Sequence, residues 1–254
     1  AELFCSLLFG CWNYRFDSCM DINFSKDTFL EGQLLLIDKP IEWTSFQLVN
    51  KIRWAIRKTY GIKKIKVGHA GTLDPLATGL MLICTGKMTK QIDQFMGMDK
   101  SYSGTFRLGA TTPSYDLETA VSNPKPFDHI SHDLLVKTRD TFLGKIQQKP
   151  PLHSAIKKDG KRLYTIARAG ETTEIPTREV TITSFKLAHI NLPDIDFLVS
   201  CSKGTYIRSL AHDFGQSLKC GAHLVSLRRT AIGSYTLEDS LTLDAFLHNL
   251  EGKS

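Results

Sequence analysis

Residues 66–80 read KVGHAGTLDPLATGL, and the placement of this stretch decides the fold around it. Asp74 precedes Pro75, whose ring disfavours a helical backbone for the residue before it, and Gly68, Gly71 and Gly79 let the chain turn tightly on both sides. The stretch is therefore a loop between regular elements. Upstream of it, TSFQLVNKIRWAIRKTYG (44–61) reads as a helix: Thr44 or Ser45 is a fitting cap, Phe46, Val49, Ile52 and Ile56 make an apolar stripe, and Gly61 follows the end. GQLLLIDKP (32–40) reads as a buried strand closed by Pro40, and GLMLICTG (79–86) returns the chain to a second buried strand.

Further along, KSYSGTFRLGATT (100–112) alternates enough to be a strand, and 113–133, with three prolines, reads as an exposed connection. DLLVKTRDTFLG (133–144) is helical in pattern; 145–171 reads as a loop with two prolines followed by a short basic helix. REVTITSFKLAHI (178–190) and DIDFLVSCSKGTYIRSL (194–210) are rich in strand formers, the latter running into a helix at SLAHDFGQSL (209–218). Strands and helices mix without regular alternation, so the expected fold is α+β, with a mixed, mainly antiparallel central sheet flanked by helices and loops. Residues 20–236 are expected to form one catalytic domain. Residues 237–254 form a short tail with one small helix. Met20 reads as the physiological start, which makes 1–19 a non-native or disordered extension.

Lys and Arg outnumber Asp and Glu by 32 to 26, for a formal charge of +6. Lys51, Arg53, Arg57, Lys58, Lys63, Lys64 and Lys66 fall in a segment without an acid, and residues 145–168 hold a second basic cluster. Each segment can be a solvated helix surface, and the two together can form one face for a polyanion. The six cysteines show no zinc-site spacing, and His129 and His132 lack companions, so no metal site and reduced thiols in the cytoplasm are expected. The apolar run LFCSLLFGCW (3–12) is about half the length a bilayer-spanning helix needs.

Asp74 is isolated: the nearest carboxylates along the chain are Glu42 and Asp93. An Asp held out on a glycine-flanked loop among cations is ionised and suited to act as a nucleophile or electrostatic stabiliser. An Asp before Pro also commonly opens a turn. Glycoside hydrolysis normally takes two carboxylates across the bond, and here only one is local.

Six segments in order, LLLIDKPIEWTS (34–45), GHAGTLDPLATGLMLICTGKMTK (68–90), DKSYSGTFRLGATTPSYDLET (99–119), QQKPPLHSAIKKDGKRLYTIARAG (147–170), VSCSKGTYIRSLAHDFG (199–215) and GAHLVSLRRTAIGSY (221–235), resemble the motifs of the TruB-type tRNA pseudouridine synthases. The resemblance implies an isomerase of the pseudouridine synthase fold. Such an enzyme detaches uridine 55 of the tRNA T loop at N1, rotates the base while holding it, and rejoins it through C5. Asp74 matches the nucleophile, which attacks either C1′ of the ribose or C6 of the base; Arg208 matches the arginine that pairs with it; and Tyr102 matches the tyrosine that stacks on the flipped base. Tyr206 and Leu227 match pocket residues, His69 an RNA-contacting loop histidine, and Lys39 and Pro40 a structural support. Arg228 and Arg229 are candidates for phosphate contacts. The family needs no cofactor and no metal. Its partner is the tRNA T stem-loop, with no membrane and no obligate protein partner, and the working unit is a monomer.

Because a stacked base cannot reach a loop carboxylate, the enzyme must extrude it into a pocket, which calls for an aromatic and apolar lining with few cations. Glu42 departs from the pattern, standing where the family usually has Gly. The chain also ends about 20 residues after IGSY, without room for a C-terminal domain of PUA type. Two other readings stand beside the synthase: a tRNA-binding or tRNA-folding protein whose catalysis is secondary or lost, and an N-glycosidase acting on nucleic acid.

Overall fold

The computed structural model describes residues 22–252 except 155, 156, 159, 160, 164, 166–168 and 170–172. The extension expected at 1–19, with Cys5, Cys11 and Cys19, lies outside the described residues, as does most of the short basic helix expected before residue 172.

The chain opens with α1 (Lys26–Glu31), capped by the Ser25 hydroxyl. Next come β1 (Leu34–Lys39), α2 (Ser45–Tyr60), β2 (Val67–His69) and β3 (Ala77–Thr85); within the quoted stretch the loop that carries Asp74 is residues 70–76, and the short strand β2 that precedes it on β3 was not expected. A 3₁₀ turn (Gly86–Gln91) and α3 (Ile92–Gly97) lead to β4 (Lys100–Leu108). After a long connection come α4 (His132–Asp140) and β5 (Gly144–Gln148), then a small pair, β6 (Lys157–Lys158) with β7 (Lys161–Arg162). The long strands β8 (Arg178–Asn191) and β9 (Asp194–Cys201) precede α5 (Ile207–Ser217) and β10 (Ala222–Ile232). The chain closes on β11 (Tyr235–Thr236), β12 (Leu241–Thr242) and α6 (Leu243–Glu251).

The main sheet runs β12-β1-β3-β10-β4-β9-β8-β5, with β2 on β3 and β11 on β10. Only β12 with β1 and β10 with β3 are parallel; the other pairs are antiparallel. This is the mixed, mainly antiparallel sheet expected from the sequence. The continuous apolar runs of β1 and β3 follow from burial of both faces. Leu35, Ile37, Met81 and Ile83 join the main core, whereas Leu34, Leu36, Leu80, Leu82 and Cys84 face a second core with Phe95 and Ile232. At the other end of the sheet, Phe106 stacks on Phe197 with centroids 4.1 Å apart, and Phe185 and Phe214 close the cluster.

Several local expectations need correction. In α2 the Thr44 hydroxyl and the Gln47 side chain form a reciprocal capping box, but Phe46 is 68% exposed and Leu48 takes its place in the buried stripe. Phe46 falls outside because Leu48, Val49, Ile52, Ala55 and Ile56 already fill the arc facing the sheet. Residues 144–148 are not loop but an edge strand on β8. The connection after β4, expected to be exposed, buries Thr112, Ser114 and Asp116. The C-terminal helix is no loose appendage: Leu243, Phe246 and Leu250 belong to the main core, and β12 extends the sheet beside β1.

Candidate active site

Asp74 is fixed from behind by α2 and by Lys39. The Ser45 hydroxyl accepts from Leu73 N at 2.9 Å and donates to Leu73 O at 3.0 Å. Lys39 is fully buried, and its ammonium donates to the carbonyls of Pro40, Trp43 and Pro75 at 2.8, 2.7 and 3.3 Å. Burial pushes its pKa down to about 8, with Asp74 opposing. Glu42 N donates to Pro75 O at 2.8 Å, and Glu42 itself has φ 66°, the left-handed conformation in which glycine is at ease. Ala77 N closes the turn on Asp74 O at 3.1 Å. Together these contacts join the β1–α2 turn to the loop that carries Asp74 as one unit.

Arg208, in the first turn of α5, reaches the carboxylate from 134 residues away. Its Nη2 donates to Asp74 Oδ1 at 3.0 Å, while Nε lies 2.9 Å from Oδ2 as a charge contact without hydrogen-bond alignment, so the guanidinium faces both oxygens as a two-point fork. Nη1 donates to Ser114 O at 3.2 Å, and Nε also lies 3.6 Å from Asp116 Oδ2. Removal from water pushes the Asp74 carboxyl above the usual carboxylate value; Arg208 opposes this, and Asp116 and Glu118 add to it. A guanidinium only donates, so the fork favours the ionised carboxylate, whose two oxygens both accept. The side chain of Arg208 is 3% exposed and that of Asp74 is 35% exposed, so the pair presents the acid and hides the base.

Expected to keep Asp74 ionised, the basic segment 51–66 does not supply the partner: none of its residues lines the cavity. Nor is the acid isolated in space. Asp116 shares the Nε of Arg208 with Asp74, and is held by Glu118 N on Oδ1 at 3.0 Å and by hydroxyls of Thr112 and Ser114 on its carbonyl.

The carboxylate opens into a cavity of about 290 Å³ whose walls include Leu73, Tyr102, Tyr206, Ile207, Arg208 and Leu227. Three of the residues named from the sequence, Tyr102, Tyr206 and Leu227, therefore meet Asp74 and Arg208 in one place. Tyr102 on β4 is 9% exposed; burial raises its pKa, and the nearby Arg229 charge opposes this. Tyr206 caps α5: its backbone is clamped at both N and O by Gln148, at 2.8 and 3.0 Å, and the Arg178 guanidinium lies 4.5 Å from its ring centroid. Lys39 and Pro40 stand behind the loop rather than in the cavity. His69, half-buried on β2, does not line the cavity either, and burial holds its pKa low, with the Arg229 charge adding to the effect.

Arg229 corrects the expectation of a phosphate contact. It is 1% exposed and spends Nε on Leu80 O at 2.7 Å and Nη2 on Gly71 O at 3.1 Å. Arg228, one residue earlier, points the other way and pairs with Asp38 at 2.6 Å. Strand alternation places Leu227 and Arg229 on the same face, so the period of two could have found it. The lining also holds more cations than expected: Lys100, Arg178, Arg208 and Arg229. Most are engaged, Lys100 with the Met96 carbonyl at 2.7 Å, and burial lowers its pKa to about 8. Asp116 was the functional neighbour that sequence reasoning missed, since nothing local distinguishes it within a proline-rich connection.

The architecture and the site have counterparts among known proteins. Residues 57–207 match the family model described as TruB family pseudouridylate synthase (N terminal domain), and residues 208–252 match that of the tRNA pseudouridylate synthase B C-terminal domain. The two matched segments meet at the start of α5, so the Asp74–Arg208 fork ties one to the other. The tRNA pseudouridine synthase B of Flavobacterium johnsoniae is 56% identical over 226 residues, covering 89% of this chain and 99% of that protein. Its counterpart in Chlorobaculum tepidum is 43% identical over 221 residues, covering 87% and 91%. Among solved structures, a Cbf5–Nop10–Gar1 complex superposes with a TM-score of 0.63 at 27% identity, over 87% of this chain and 54% of that one. An H/ACA RNP bound to a substrate RNA containing 2′-deoxyuridine gives 0.62 at 25% identity, over 87% and 53%. The chain thus spans about half the length of those two structural neighbours and nearly all of its curated relatives. With the family models covering more than half its length and relatives above 40% identity along most of it, the chain belongs to the TruB family of pseudouridylate synthases.

Proposed function

We propose that this protein isomerises uridine 55 in the T loop of tRNA to pseudouridine, with Asp74 as nucleophile. The observation that carries the proposal is the two-point fork from Arg208, which presents an ionised carboxylate to a cavity walled by Tyr102, Tyr206 and Leu227. In this reading the uridine leaves its stack and enters the cavity, where the Tyr102 ring takes one face of the base and Leu227 packs beside it. The Asp74 carboxylate adds to C1′ or to C6, and the N1–C1′ bond breaks. The base turns within the pocket and C5 bonds to C1′ while the bond to Asp74 breaks and returns the carboxylate; C5 gives up its proton and N1 gains one, so the product is an isomer and the enzyme is regenerated. Arg208 keeps the carboxylate ionised and aimed throughout, at no reorganisation cost when charge develops. His69, neutral at physiological pH, is suited to stack against RNA at the edge of the site, and the outward cations hold phosphates.

The reading takes a monomer as the working unit. No helix among the described residues is long and apolar enough to cross a membrane. Cys84, Cys201 and Cys220, free among the described residues, support a reducing compartment such as the cytoplasm.

The test is pseudouridine mapping on an unmodified tRNA transcript with wild type and Asp74→Asn. Wild type is expected to modify the T loop, and the variant to bind the same RNA without modifying it. Activity retained in Asp74→Asn would refute the nucleophile. Release of free uracil would point instead to glycosidase chemistry.

A further inference from the structure

The outer face of α2 is not an ordinary solvated helix surface. Phe46 and Trp54 are 68% and 53% exposed, and the spacing 46, 50, 54 puts them on one stripe with Asn50 between. The ammoniums of Lys51 and Lys58 lie 5.1 and 5.0 Å from the Trp54 ring centroid. From residue 51 to 66 the chain carries seven Lys or Arg and no acid, and among the described residues none of the seven is in an ion pair. Beside Phe46 lies a shallow cavity of about 340 Å³ that reaches Asn50 and Lys51.

Its position gives the stripe a meaning. Ser45 grips Leu73, so the start of α2 abuts the loop that carries Asp74, and Trp54 stands nine residues further, about 14 Å along the helix axis. A half-exposed aromatic ring with two unpaired ammoniums over it fits a polyanion with exposed bases: phosphates draw the lysines off the ring and a base stacks in their place. The flipped uridine fills the Asp74 cavity and Trp54 stands well along the helix from it, so the nucleotide on Trp54 is assigned to another part of the folded RNA.

We propose that this face of α2 is a second RNA-contact surface, which holds tRNA outside the T stem-loop through stacking on Trp54 and phosphate contacts to Lys51 and Lys58. The proposal rests on tRNA being the substrate and extends the contact beyond the modified loop.

The experiment compares the affinity of wild type, Trp54→Ala, Trp54→Phe and the double change Lys51→Gln with Lys58→Gln for full-length tRNA transcript and for an isolated T stem-loop. Trp54→Ala is expected to weaken full-length tRNA by about 5- to 10-fold while leaving the stem-loop within twofold, and Trp54→Phe to restore most of the loss. The double lysine change is expected to flatten the dependence of log affinity on log salt by about one to two units for full-length tRNA only. Undiminished affinity for full-length tRNA overturns the proposal and leaves an acidic protein as the partner the surface fits; equal losses for both RNAs overturn the placement outside the T arm. Should wild type make no pseudouridine in either RNA, the proposed activity fails, whereas the difference between the two affinities still reads the surface.

Discussion

Replacing Arg208 with lysine keeps the charge and removes the fork. The guanidinium makes three contacts at once: Nη2 to Asp74 Oδ1 at 3.0 Å, Nε beside Oδ2 at 2.9 Å, and Nη1 to Ser114 O at 3.2 Å. An ammonium on a shorter stem can serve one carboxylate oxygen but cannot hold both in plane, and it leaves the Ser114 carbonyl unserved. Losing one charge-assisted contact and one neutral one amounts to roughly 2–4 kcal/mol of positioning. Expressed in the chemical step, that is a fall in kcat of roughly 30- to 1000-fold. Asp116 lies 3.6 Å from Nε, so a weaker cation also leaves two carboxylates less neutralised and pushes Asp74 further upward. The acid limb of the pH–rate profile is therefore expected to move to higher pH in Arg208→Lys. Single-turnover rates across pH, with tRNA affinity measured in parallel, check this; affinity should hold because α2 and its basic neighbours are untouched. A kcat within about threefold of wild type, or a loss carried wholly by affinity, would refute the reasoning.

Two further predictions concern stability. Glu42 holds φ 66°, which costs a non-glycine residue about 1–2 kcal/mol, partly offset by the extra unfolded-state freedom that glycine brings. Glu42→Gly is expected to raise Tm by roughly 1–4 °C with activity unchanged, and a fall in Tm would show that the Glu42 side chain contributes more than its backbone costs. Asp213 is pushed up to about 6 by burial, so its folded pKa exceeds its unfolded one. Stability from this group is present below the unfolded pKa, near pH 4, and is lost as pH rises through about 6. Asp213→Asn should therefore stabilise the protein by roughly 1–3 kcal/mol at pH 8 and little at pH 4, and thermal melts at the two values that shift equally would contradict it.

Much of the architecture around the loop was legible from local chemistry. A cap at Thr44 or Ser45, the apolar spacing through Ile52 and Ile56, Gly61 at the end and the glycine-flanked Asp74–Pro75 step each act within one turn of chain, so β1, α2, the Asp74 loop and β3 follow from the residues themselves. The six ordered motifs then named Tyr102, Tyr206, Arg208 and Leu227, and the fold brings all four to Asp74. Phe46 shows the limit of periodicity, since it fits the apolar pattern of α2 yet faces outward once Leu48 and Ala55 fill the arc against the sheet.

Contacts at long range were decided only by tertiary structure. β10 lies between β3 and β4, with Arg229 opposite Gly79 on one side and Tyr102 on the other, and that register turns Arg229 into the site while Arg228 goes to Asp38. Gly79 is needed there because a Cβ would meet the Arg229 backbone at 2.3 Å. Asp116 reaches Arg208 through a connection whose composition reads as exposed loop, and the cation that holds Asp74 lies 134 residues away rather than in the basic run beside it. The physical reason is common to all three. Capping, turn formation and periodicity are energies of neighbours along the chain, whereas strand order and register are settled by the packing of two cores against both sheet faces, which no short stretch contains.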